Sequence, residues 1–205
     1  GATTVTAGTL LVNSPGSLAG SAVSVNRTAL FGGSGSVGGP VAVAGGGNLV
    51  PGGLNAIGTL TLGSTLALSG SVLICDLPAA GTVCDTIAVG GDLSLSGVNT
   101  VALSFPDGAT PAGSYTLMTF PSYSGSGSFA LLCNYPNATL TLNANSLVLT
   151  VTGAGTSALT WFGDESSLWD GGALNWRLGG AASSYAAGQA VTFDDTATNF
   201  NVVSS

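Results

Sequence analysis

The side chains in this chain that can do chemistry gather in its last quarter. Trp161, Trp169 and Trp176 are interleaved with Asp164, Glu165 and Asp170. Flat indole faces beside carboxylates suit a carbohydrate: a sugar ring stacks on the aromatic, and Asp164 and Asp170 accept from its hydroxyls. The competing role for such tryptophans is to fill a core with each indole N–H satisfied. Asp194 and Asp195 raise the question of glycoside hydrolysis, which needs two carboxyl groups facing one bond. Adjacent strand residues point to opposite faces, so these two do not form that pair within one strand. A loop acid bonding turn N–H groups is the role they fit better.

Other chemistries lack partners. The chain has no histidine and no lysine, and Arg27 and Arg177 are its only basic residues. A serine nucleophile needs a base, and no histidine supplies one. Gly45-Gly46-Gly47 is followed by neither lysine nor a helix signal, so it is no phosphate loop. At a net charge of −7, two arginines build no basic patch, which excludes nucleic acid and anionic membranes as partners. Calcium, which takes oxygen ligands from flexible acidic loops, is the one metal to weigh, but no ligand set stands out. The expectation is a protein with no cofactor, no assigned metal site and no enzymatic activity.

Cysteine usage points to a compartment. Cys75 and Cys84 flank eight residues that include Pro78 and Gly81, which can turn the chain. This spacing predicts a local disulfide, the alternative being two buried thiols. It does not match zinc-ligand spacing. Such a bridge implies an oxidising environment outside the cytoplasm. Cys133 is left over, either free and buried or paired with another chain.

The elements that must position these residues are strands. Charged residues make up 5% of the 205, against roughly 25% in an average soluble protein, and there are 33 glycines. Strong surface helix formers are nearly absent. Alternation dominates: Leu147, Leu149 and Val151 share one face, as do Val101, Leu103 and Phe105, or Leu140 and Leu142. Short strand segments such as Gly58–Gly63 and Thr65–Gly70 recur every ten to twenty residues or so, bounded by Gly, Asn, Ser or Pro. Glycine pairs and triplets between them favour a coil over a sandwich, because corners between faces need positive φ or tight bends. Mean hydropathy is +0.53. No run of about 20 apolar residues is present, so no transmembrane helix is expected. Composition shifts near Gly153–Ser157: all three tryptophans and five of the nine acids follow it. The expected division is a β-solenoid over 1–153 and a Trp/Asp-containing β module over 154–205. That module would continue the coil or dock on a neighbouring copy.

The segment Gly1–Asn13, the following Gly32–Val43 and Gly45–Gly53, and Gly58–Leu62 resemble the autotransporter-associated β-strand repeat, also called the passenger-associated transport repeat. Leu159–Gly163, Trp169-Asp170, Asn175-Trp176 and Val191–Thr198 resemble the module accompanying it in large secreted bacterial proteins. The resemblance implies a right-handed parallel β-helix exported to the surface of a Gram-negative-type bacterium, as a stalk, fibre or adhesin scaffold. The family offers no catalytic motif. Two departures stand out: the Cys75/Cys84 pair, and the lack of a membrane-barrel translocator within these residues. The chain then reads as a segment of a longer polypeptide or a processed unit of a polymer. Both termini read as uncharged strands without a capping helix. The expected partner is therefore another copy, stacked head to tail into a filament through ends marked by Val5 and Val202. The alternative is an adhesin module that binds glycans through the Trp161/Trp169/Trp176 region.

Overall fold

A computed structural model describes residues 1–78, 80–105, 112–132, 137–152, 159–169, 172–178, 181–185, 191–193, 195 and 197–204. All of its regular structure is strand. The first rung is β1 (Ala2–Val5), β2 (Thr9–Leu11) and β3 (Ser17–Leu18), and the second is β4 (Ala22–Val25), β5 (Leu30–Gly33) and β6 (Ser36–Val37). Next come β7 (Val41–Val43), β8 (Asn48–Pro51) and β9 (Thr59–Leu62), then β10 (Leu66–Ser69), β11 (Val72–Asp76) and β12 (Thr86–Val89). The fifth rung is β13 (Leu93–Ser96), β14 (Val98–Ser104) and β15 (Gly113–Thr119). The last is β16 (Tyr123–Gly125), β17 (Ser128–Leu131) and β18 (Ala138–Leu142), followed by β19 (Ser146–Val151).

Strands three apart pair in parallel, β15 and β18 excepted, which sorts β1–β19 into three stacked sheets. That is the arrangement of a β-solenoid. Face one runs β1-β4-β7-β10-β13-β16 and face two β2-β5-β8-β11-β14-β17. The register puts like on like. On face one Val5, Val25, Val43, Leu68 and Leu95 form one inward column. On face two the column is Leu10, Phe31, Leu49, Leu73, Val101 and Leu131. Phe31, Leu49, Leu73 and Val101 are fully buried. Each such side chain is worth roughly 1.5–3 kcal/mol. The outward column of face one is Thr4, Ser24, Ala42, Ala67, Ser94 and Ser124, all exposed. Period-two alternation with inward Val and Leu produces this split without a single charge.

The corner from face one to face two is a column of left-handed residues: Gly8 (φ 71°), Thr28 (66°), Gly46 (76°), Gly70 (67°) and Gly97 (62°). Thr28 N–H donates to Gly46 O, and Gly46 N–H to Gly70 O, both at 2.9 Å. The expectation that glycine makes the corners holds here with one exception, a β-branched threonine in a conformation it disfavours.

Face three departs from the pattern. It runs β3-β6-β9-β12-β15 and then β19-β18, so it carries seven strands where the other faces carry six. Strand β19 lies antiparallel to both β15 and β18.

The remaining strands are β20 (Leu159–Trp161), β21 (Leu168–Trp169), β22 (Trp176–Leu178), β23 (Ala181–Ser183), β24 (Val191–Thr192) and β25 (Val203–Ser204), and β20, β21, β22 and β24 contribute to a second hydrophobic cluster. These strands form their own four-stranded and two-stranded sheets.

Candidate functional site

Buried polar side chains of the coil sit at two corners: Ser71 donates to Asn99 Oδ1 between faces one and two, and two aspartates lie between faces two and three. Asp76 closes β11 and Asp85 leads into β12; both are buried. Asp76 Oδ2 accepts from Ala56 N–H at 2.8 Å and Asp85 Oδ1 from Gly58 N–H at 2.8 Å. Asp85 Oδ2 accepts from Asp76 N–H at 2.9 Å, and Asp85 N–H donates to Asp76 O at 3.0 Å. Two carboxyl groups of one rung thus hold the loop between β8 and β9 beneath them. Gly52 (φ 72°) is required there: a Cβ would come within 1.8 Å of Ala56 O and 2.6 Å of Asp85 Oδ1. Burial pushes Asp85 up from 3.8 to about 7, and the neighbouring Asp76 charge adds to it. The N–H donors of Asp76 and Gly58 pull the other way.

The disulfide expected between Cys75 and Cys84 is not formed; both are buried free thiols. Cys75 belongs to the core, in register with Leu103 of β14, whereas Cys84 Sγ faces Thr116 O at 3.7 Å. The ends of their loop are closed by the Asp76–Asp85 bonds instead. Burial raises the Cys75 thiol well above its ordinary value, with the Asp85 charge adding to it. Cys84 is pushed up to about 11, again mainly by burial. A thiolate is the reactive form, so these are structural rather than nucleophilic cysteines. Cys133 lies outside the described residues. The two aspartates were missed from sequence. Their signal was the dipeptide Cys-Asp occurring at both 75–76 and 84–85.

The tryptophans do not present a common platform. Trp161 and Trp176 are buried, edge to face with centroids 5.0 Å apart. Trp161 Nε1 donates to Asn199 O at 2.6 Å. Trp169 is half-buried against Trp176 (5.2 Å), Tyr185 (5.4 Å) and Phe193 (5.8 Å). Asp164 accepts from Arg177 Nη2 at 2.9 Å and from Thr198 Oγ1 at 3.1 Å, while the Arg177 guanidinium lies 3.8 Å over the Phe162 ring. Its carboxylate is therefore already partnered. Asp170 and Asp194 lie outside the described residues, and Asp195 is exposed. Of the set expected to grip a sugar, two indoles serve the core and one acid serves an ion pair.

What organises this module is Asn175, which is buried and which the sequence singled out only as part of the Asn175-Trp176 motif. Its Oδ1 accepts from Glu165 N–H at 2.9 Å and Ser166 N–H at 2.8 Å. Its Nδ2 donates to Ser166 Oγ at 2.7 Å and Leu168 O at 2.9 Å. All of its side-chain hydrogen-bonding capacity is used to shape the turn between β20 and β21.

The residues expected at the assembling ends separate. Val5 lies on β1 in the first rung and is nearly buried. Val202 is partly exposed and precedes β25, which pairs with β21. It is no part of the last rung, because that rung is built by β16, β17 and β18. The incomplete parts of the coil core are at Leu10 and Leu18 on one side and Phe129, Leu131, Leu140 and Leu142 on the other, all half-buried. A scan against protein-family models finds no match for this chain, and a search of curated proteins finds none.

Proposed function

We propose that this chain is an extracellular structural protein, a right-handed β-solenoid segment that forms a fibre, filament or surface stalk by end-to-end stacking. The observation that carries this reading is the face-two column. Its four middle members are fully buried, while Leu10 at one end and Leu131 at the other are only half covered. An apolar column that stacks like on like from rung to rung gains by adding another rung. Each end also offers strand edges with unpaired N–H and C=O groups among the described residues, which template further strands. The chemistry within the coil supports a scaffold: its buried acids hold backbone and its thiols are of the unreactive kind. Export from a Gram-negative-type bacterium, as the sequence resemblance implies, is part of the proposal. Negative-stain microscopy with light scattering over a concentration series tests it. Rods that lengthen with concentration are expected. A monomer that stays single at high concentration overturns it.

A further inference from the structure

The connections of the coil vary in length chiefly at one corner. Face three returns to face one through 19–21, 38–40, 63–65, 90–92 and 120–122, three residues each time. Between faces two and three the connections include 12–16, 34–35, 52–58 and 77–85, from two residues to nine. A plain stalk needs no such variation. In stacked repeats, insertions gathered on one side often build a binding surface.

The shortest of these connections lies between two longer ones. At the second rung only Ser34 and Gly35 join β5 to β6, so the corner is recessed there. Residues 14–16 of the first rung close one side of the recess and Thr61 of the third closes the other. The result is a cleft of about 240 Å³ lined by Ser14–Gly16, Ser34–Ser36 and Thr61. We propose that this cleft binds one neutral sugar ring of a glycan.

The cleft is held in shape by backbone. Gly35 N–H donates to Val12 O at 2.7 Å, Ser36 N–H to Gly16 O at 3.3 Å and Thr61 N–H to Gly35 O at 3.0 Å. Ser14 N–H donates to Ser34 Oγ at 3.2 Å. Gly35 permits the close approach, since a Cβ there would come within 2.5 Å of Gly16 O. A ligand site that is formed before its ligand arrives binds at a smaller ordering cost.

The lining selects the ligand class. No charged residue lines the cleft, so an ionised ligand would lose its hydration without gaining a partner. Pro15 is its one apolar side chain, so a purely hydrophobic ligand gains little. What remains is hydroxyl. Ser36 and Thr61 stand in register on adjacent strands and both point outward. Among the described residues neither hydroxyl has a protein partner. Each can donate and accept, as a sugar hydroxyl can, whereas a peptide N–H or C=O does only one of the two. The volume is below the roughly 300–1,000 Å³ of a site for a drug-sized molecule, which suits a single ring.

Saturation-transfer NMR with the methyl glycosides of glucose, galactose, mannose and N-acetylglucosamine tests the site, each at up to about 50 mM. Transfer to at least one of them is expected. Ser36→Ala/Thr61→Val removes both hydroxyls from outward positions and should weaken binding about tenfold or more. Thr61→Ser keeps the hydroxyl and should bind as the native chain does. Ser94→Ala/Ser124→Ala removes hydroxyls from face one and should change nothing. Transfer to none of the four glycosides overturns the proposal, as does equal binding by the double variant. Transfer lost in Trp169→Ala would put the sugar on the second cluster and overturns it too. Should the double variant lose its far-ultraviolet β signal, Thr61→Val set against Thr61→Ser still decides.

Discussion

Protonation of Asp85 should set the pH dependence of stability. The carboxyl group is buried at a corner with Asp76 beside it, and its midpoint lies near 7 in the folded chain against an ordinary 3.8. The folded state therefore holds this proton over a range where the unfolded chain has released it. Stability from this group is fully present below about 3.8 and is lost as pH rises through about 7. The full displacement corresponds to at most roughly 4 kcal/mol. Solvent reaching the loop corner screens the interaction, so the working expectation is a fall of about 1–2 kcal/mol between pH 4 and 8. Asp85→Asn removes the titration. The amide keeps one acceptor for either Gly58 N–H or Asp76 N–H but turns an NH2 on the other, at a cost of about 1–3 kcal/mol. Urea midpoints measured from pH 4 to 8 in both proteins separate the two effects. The variant should start lower at pH 4 and show a flatter slope. A native protein whose stability rises over this range, or a variant with an unchanged slope, would refute the assignment.

Two further substitutions test the corners and the second cluster. Thr28→Gly should stabilise the coil by about 0.5–1 kcal/mol, since relieving left-handed strain of about 1–2 kcal/mol outweighs the extra chain entropy of glycine. Gly70→Ala at the same corner should cost about 1 kcal/mol, because its φ of 67° is strained for alanine although the nearest atoms lie 3.8 Å from the added Cβ. Denaturant midpoints check both, and equal shifts of one sign would show that φ does not control this corner. Asn175→Ala leaves Glu165 N–H, Ser166 N–H and Leu168 O without their partner and should cost about 3 kcal/mol or more. All three tryptophans lie in this module, so their emission should shift to the red while the far-ultraviolet β signal of the coil persists. Simultaneous loss of both signals would show that the two clusters fold as one.

What could be read from the sequence was whatever repeats along the chain at short range. Leu60 and Leu62, or Leu66 and Leu68, alternate with Thr and Ala in period two, and each does face inward. Clustered glycines marked the corners. The vertical direction was less legible, because column partners such as Val25 and Val43, Val43 and Leu68, or Leu68 and Leu95 lie a whole rung apart in sequence and no local pattern encodes them. Alternation also states which face a residue takes but not the sense of its strand. Leu147, Leu149 and Val151 were rightly placed inward, yet nothing in them distinguishes the antiparallel β19 from another parallel rung. The same blindness explains Asp76 and Asp85. Each alone reads as a loop acid, and only stacking brings both over the loop from Gly52 to Gly58. Thr28 was hidden because its residue type argues against the φ it adopts; the column enforces that φ through Gly46 above it. In a coil of this kind each rung is therefore determined partly by its neighbours. Among the described residues the rungs at Leu10 and Leu131 have one neighbour each, and there the apolar column is only half covered.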